Sequence, residues 1–281
     1  MRLDDLRESS NVEDRRGFGG RGMMIGGGGL GLVVLIVALL LGVDPRQLMG
    51  PGEEQPVAQQ GQAPDRSNPD LVLSSKVLAT TEDVWGKLFE ENGGQYRPAT
   101  FTVYEGGTQT ACGLGQAAMG PFYCPADQRV YLDLAFFREL SERFAAPGDF
   151  AKAYVIAHEI GHHVQNLTGI SRKAEAAMQR AGGGRGAEGV QVRLELQADC
   201  FAGVWARRAD QQFHMLEGGD MEEGLKAAYA VGDDTLQRAT RGSVAPDSFT
   251  HGTSAQRMAW FKKGAASGNP DDCDTFAAGR L

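Results

Sequence analysis

Between Tyr154 and Leu167 two histidines and a glutamate sit inside an apolar helical pattern, and no other feature restricts the fold as tightly. The segment reads Ala157-His158-Glu159-Ile160-Gly161-His162-His163. Residues four apart on a helix lie nearly one above the other, so His158 and His162 project from one face. Two imidazoles so placed can hold one metal ion from the same side. Glu159, about 100° round the helix from His158, reaches a water on that ion. Tyr154, Val155, Ile156, Ala157, Ile160, Val164 and Leu167 make the helix apolar nearly all round, which implies burial. Buried imidazoles and a buried carboxylate need partners, and a metal ion satisfies all three. His163 turns well away from the ligand face and reads as structural or as an outer support of the ligands, not as a ligand.

Two ligands and a general base within five residues form the layout of a zinc peptidase, which needs a third protein ligand and a position left open for water. The longer motif, with glycine three and histidine six residues after the second ligand, is absent, because Gln165 and Thr168 stand there. The better candidate is the segment Arg193-Leu194-Glu195-Leu196-Gln197-Ala198-Asp199-Cys200-Phe201-Ala202-Gly203. Like charges four apart weaken an isolated helix, so a buried Glu195–Asp199 pair must answer a nearby positive charge. Glu195 is therefore assigned as the third ligand of one zinc ion per chain. Asp199 is assigned as acceptor of a ring N–H from a ligand histidine. The competing reading is a surface pair balanced by Arg193 and Arg207.

At this point the chain resembles the bacterial neutral zinc metallopeptidase family with one N-terminal membrane span, gluzincin-like in its HExxH and downstream ExxxD. Further matching pieces are Asn11 to Gly17, Gly120-Pro121-Phe122-Tyr123-Cys124-Pro125, Val130 to Leu134 and Ser248 to Arg257. The similarity runs nearly the full length, apart from the linker after the span and a glycine-rich insertion near Gly182. It implies a zincin-type fold and a single zinc, and it brings no substrate.

Residues 23–43 contain no charge, are long enough to cross a bilayer and follow Arg15, Arg16 and Arg21. The expectation is a cytoplasmic tail over 1–22, a transmembrane helix over 23–43, a flexible Pro/Gly/Gln-rich linker over 44–70 and a metallopeptidase domain over 71–281. The protein would sit in the bacterial cytoplasmic (inner) membrane as a single-pass chain, with its N-terminus in the cytoplasm and its domain outside. A cleaved signal peptide competes, although Val43-Asp44-Pro45-Arg46 makes a poor cleavage site. Gly27 and Gly31 form a small-xxx-small pair that would let two spans pack as a homodimer. The formal net charge of −8 and the lack of a basic cluster on the soluble part argue against a nucleic-acid partner.

The four cysteines suit an oxidising compartment. Pairing Cys112 with Cys124 would staple a glycine-rich loop, and pairing Cys200 with Cys273 would tie the second ligand helix to the C-terminus. Four cysteines allow other pairings, and a second, structural zinc is the alternative use, without the CxxC spacings typical of one.

The coarse reading is α+β: a zincin-like metallopeptidase domain, mostly helical with a small sheet, preceded by one transmembrane helix. Helices are expected over Leu71 to Asn92, Ala135 to Phe144, Asp149 to Leu167, Ser171 to Arg180 and Val190 to Ala209, with shorter ones after Met221. Strands are expected at Thr100 to Tyr104 and Arg129 to Asp133. Thr253 and Gln256 form a capping box for a last helix. The expected function is peptide-bond hydrolysis with a zinc-bound water activated by Glu159, on a peptide or protein substrate. His251, Tyr123 and Tyr131 are candidates to stabilise the oxyanion, His251 slightly ahead because glycine flanks its loop; a histidine that only serves the entrance to the last helix is the equal alternative. His214, in a polar stretch, reads as solvated. The alternative is a catalytically inactive, zinc-stabilised binding or assembly module at the membrane.

Overall fold

The computed structural model describes residues 1–16, 64–181 and 183–277. Helix α1 (Pro69–Glu91) starts where Asn68 accepts the N–H of Leu71 at 3.1 Å and Pro69 fills the first turn. It ends at Asn92, before Gly93 at φ 72°. Strands β1 (Val12–Asp14) and β2 (Thr100–Tyr104) pair in parallel. A hairpin, β3 (Gly107–Thr110) and β4 (Gly113–Gln116), forms a separate antiparallel ribbon. Strands β5 (Phe122–Cys124) and β6 (Arg129–Asp133) are antiparallel, and β6 runs parallel to β2. The main sheet has the order β1-β2-β6-β5, so β5 is an edge strand.

One face of this sheet, with Phe101, Val103, Val130 and Leu132, packs into the main core with Trp85 and Leu88 of α1. The alternate residues of β6 are buried too. Tyr131 stacks on Phe122 at 5.1 Å in a small cluster with Tyr104 and Cys124, and Asp133 accepts the N–H of Gly106. The Cys112–Cys124 disulfide ties the hairpin tip to β5.

The helical body comprises α2 (Ala135–Glu142), α3 (Asp149–Leu167), α4 (Ile170–Ala181), α5 (Val190–Phe213), α6 (Asp220–Ala230), α7 (Asp233–Arg241) and α8 (Ser254–Ser267). Gly161 lets α3 and α5 cross closely, because a Cβ there would stand 3.0 Å from the Ala198 backbone. The expected capping box of Thr253 and Gln256 starts α8. The Cys200–Cys273 disulfide fastens α5 to the segment after α8, so both expected pairings occur.

The N-terminal expectations need correction. The span over 23–43, with its Gly27–Gly31 pair, and most of the 44–70 linker lie outside the described residues. Among the described residues no helix is long and apolar enough to cross a membrane. The transmembrane helix is therefore dropped from the fold class, leaving a mixed helical domain with small sheets, consistent with a zincin-like domain. The inner-membrane location, with the N-terminus inside and the domain outside, falls as well. Residues 12–14 are hydrogen-bonded into the sheet beside β2, while Arg7 pairs with Glu82 and Asp83 of α1. A strand and the sheet it joins occupy one compartment.

Candidate metal centre

The centre is built where α3 and α5 cross. His158 and His162 stand one turn apart on α3 with ring centroids 4.8 Å apart and planes at 87°. Glu195 of α5 faces both, its Oε2 lying 3.3 Å from His158 Nε2 and 3.5 Å from His162 Nε2. One ligand atom from each of the three residues falls within 4.8 Å of the others. Glu195 is only 6% exposed and Asp199 fully buried, which removes the reading of a surface carboxylate pair.

The opposite ring nitrogens are spoken for. His158 Nδ1 donates to Asp199 Oδ1 at 2.8 Å, and His162 Nδ1 donates to Gln165 Oε1 at 2.9 Å. Those bonds leave both Nε2 atoms pointing at Glu195, the arrangement that outer partners of metal-binding histidines produce. Asp199 is itself held by Arg257, whose Nε and Nη2 donate at 2.8 and 2.9 Å, and by the Tyr154 hydroxyl at 2.5 Å. Gln165 Nε2 donates to Leu194 O and to Gln197 Oε1, tying α3 to α5.

The imidazoles and carboxylates of the cluster shift one another's titration. Burial pulls the His158 pKa down, but the Asp199 carboxylate and the bonds to Asp199 and Glu195 lift it to about 9. His162 is raised in the same way by Glu195. Burial would raise Asp199, yet Arg257 and His158 bring it to about 2, and Glu195 is held well below the usual carboxylate range by the imidazoles around it. Two imidazole nitrogens, one carboxylate oxygen and an open side form a donor set that suits zinc.

The open side faces a cleft of about 430 Å³ lined by Glu159, His251, Arg257 and the edge-strand residues Phe122 and Tyr123. Glu159 is buried, and its carboxylate accepts no hydrogen bond from a described residue. His251 enters from the loop before α8. Asp233, at the start of α7, accepts the backbone N–H groups of Thr250, His251 and Gly252 at 2.7, 2.6 and 3.0 Å. Its other oxygen lies 3.3 Å from His251 Nδ1. Burial lowers the His251 pKa, but the Glu195 and Asp233 carboxylates reverse this and raise it.

The two tyrosines expected as alternative donors are engaged elsewhere. The Tyr131 hydroxyl donates to Asp127 at 2.8 Å. His163 is fully buried, and its Nε2–H donates to the Arg97 carbonyl at 2.6 Å. That carbonyl can only accept, so Nε2 carries the proton and Nδ1 of this tautomer is an acceptor. The Tyr123 hydroxyl, 2.9 Å away, must therefore donate to it. His214 is an exposed residue capping α5 in the left-handed conformation, φ 52°.

Sequence reasoning missed Arg257 and Tyr154 and named Gln165 only as the occupant of an absent motif's place. The available signal for Gln165 was its spacing, one turn beyond His162 on the same helix. For Arg257 it was the need of a buried acidic pair for a cation.

The chain is 50% identical over 285 residues to the uncharacterized protein YpfJ of Escherichia coli strain K12, covering 98% of this chain and 99% of that protein. It is 40% identical over 268 residues to the uncharacterized protein Mb2605 of Mycobacterium bovis, covering 87% and 86%. No solved structure matches it. The family model described as "Putative neutral zinc metallopeptidase" matches residues 1–276, and the chain belongs to that family.

Proposed function

We propose that the chain is a zinc-dependent metallopeptidase that hydrolyses peptide bonds in extended polypeptide segments, with Glu159 as general base. The observation that carries this reading is the convergence of His158 Nε2, His162 Nε2 and Glu195 Oε2 beside Glu159 in an open cleft. Bound there, zinc supplies a Lewis acid that polarises the scissile carbonyl and lowers the pKa of water. Glu159 accepts the proton of the attacking water and returns it to the leaving amine. His251, fixed through Asp233, donates to the developing oxyanion, whereas the hydroxyl protons of Tyr123 and Tyr131 are committed to His163 and Asp127. Asp199 and Gln165 hold the ligand rings in register. The edge of β5 along the cleft pairs with no further strand among the described residues and offers backbone groups to an extended substrate.

The test is hydrolysis of a diverse peptide library by the zinc-loaded full chain and by its Glu159→Gln variant. The parent is expected to cleave, and the variant to lose about 10²–10⁴-fold in rate at equal zinc content. Equal cleavage by both would remove Glu159 as the base. No cleavage by the zinc-loaded parent would favour a zinc-stabilised binding or assembly module instead.

A further inference from the structure

Strand β5 is three residues long, and prolines stand on both sides of it, Pro121 and Pro125. Its ladder to β6 covers only the pairs Phe122–Tyr131, Tyr123–Val130 and Cys124–Arg129. So short an edge frays readily unless something else holds it. If it is to bind a substrate backbone it must be ordered beforehand, since the cost of ordering it on binding is subtracted from the affinity.

The means of ordering it lies on α3 itself. The Tyr123 hydroxyl donates to His163 Nδ1 and accepts from Asn166 Nδ2, both at 2.9 Å. The Tyr123 and His163 rings meet edge to face at 5.4 Å, and Tyr96 closes the other side of the imidazole at 5.7 Å. His163 Nε2–H is anchored to the carbonyl of Arg97, in the connection between α1 and β2. His163 thus joins three parts of the fold, and both its nitrogens are used.

The position of His163 in the chain matters as much as its contacts. It is the residue after His162, and adjacent helical residues point about 100° apart. His162 turns toward the metal cluster and His163 toward β5, so one peptide unit of a rigid helix links the two. We propose that His163, with Asn166, clamps Tyr123 and is a positioning residue that sets the edge strand relative to the metal centre. The consequence for substrate rests on the peptidase reading, whereas the clamp itself does not.

The test is backbone hydrogen exchange on the zinc-loaded full chain, comparing the parent with Tyr123→Phe and Tyr96→Phe. Tyr123→Phe keeps the ring and removes only the clamping hydroxyl. The amides of β5 that bond to β6 are expected to exchange about tenfold faster, with those of α3 unchanged. Tyr96→Phe, whose hydroxyl has no hydrogen-bond partner among the described residues, is expected to match the parent. With a cleavable peptide, Tyr123→Phe should raise KM about tenfold while kcat holds, the signature of lost binding rather than lost transition-state stabilisation. Unchanged exchange at β5 in Tyr123→Phe would overturn the clamp. A fall in kcat at constant KM would also overturn it, by making Tyr123 a catalytic donor. If no variant cleaves any peptide, the exchange data still decide the clamp, so its failure and that of the peptidase reading remain distinct.

Discussion

Gln165 lies one turn beyond His162, and its amide fixes the orientation of that imidazole. Its oxygen accepts the Nδ1–H of His162, and its nitrogen is held by Leu194 O and Gln197 Oε1. An amide anchored at both ends cannot rotate, so His162 keeps Nε2 toward Glu195. Gln165→Ala is expected to weaken zinc binding about 10–100-fold, the usual effect of removing a ligand's outer partner. Competition against a chromogenic chelator measures this, and an unchanged affinity would show that packing alone orients the ring. At this scale legibility follows sequence distance. His158, Glu159 and His162 were readable because their geometry is set within a single turn of helix. Glu195 and Asp199 were readable because two carboxylates in an apolar helix demand a cation. The structure brings Arg257 to Asp199 from 58 residues away, a contact that no local pattern announces.

Elements were legible where hydrophobic periodicity is long. Helix α3 spans the residues expected of it, β2 and β6 match theirs, and the capping box of α8 is present. Strand β1, the β3–β4 hairpin and β5 were not expected. Val12-Glu13-Asp14 has no alternation to read, and its place is set by pairing with β2, far along the chain. The hairpin is too rich in glycine for a pattern, and its tip is held by a disulfide rather than by apolar contacts. The junction of α7 with the His251 loop was equally hidden, and it is electrostatic. Asp233 is buried, which alone would raise its pKa, but the hydrogen bonds from His251 and the loop N–H groups lower it. A carboxylate depressed on folding stabilises the folded state above its unfolded pKa, near 4, and loses that effect as pH falls through the depressed value. Asp233→Asn is therefore expected to cost about 1.5–3 kcal/mol between pH 5 and 7, the range for hydrogen bonds to a charged group. The difference from the parent should shrink toward pH 3. Thermal unfolding of both proteins across that range checks it, and a gap independent of pH would mean that the charge of Asp233 is not what holds the loop.

For the whole molecule, the metal cluster lies within a core that has its own reasons to hold together. Helices α3 and α5 meet at Gly161 and Ala198, α5 is bridged to the C-terminal segment by Cys200–Cys273, and Arg257 brings α8 onto Asp199. None of these contacts requires a cation. Metal should therefore raise stability without creating the fold, unlike a small domain whose structural zinc is its core. A ligand that binds only the folded state at 1,000 times its Kd adds about 4 kcal/mol. In a domain of this size that corresponds to a shift of roughly 8–16 °C in Tm. Chelation is expected to lower Tm by that order while leaving the helical far-UV signal in place at 25 °C, and readdition of zinc should restore it. Loss of helix on chelation would mean that the metal assembles α3 and α5, and the open-sided catalytic reading would lose its main support. Retention of helix with a zinc-dependent Tm would place the ion on a preformed scaffold, where a general base such as Glu159 has a fixed geometry to act in.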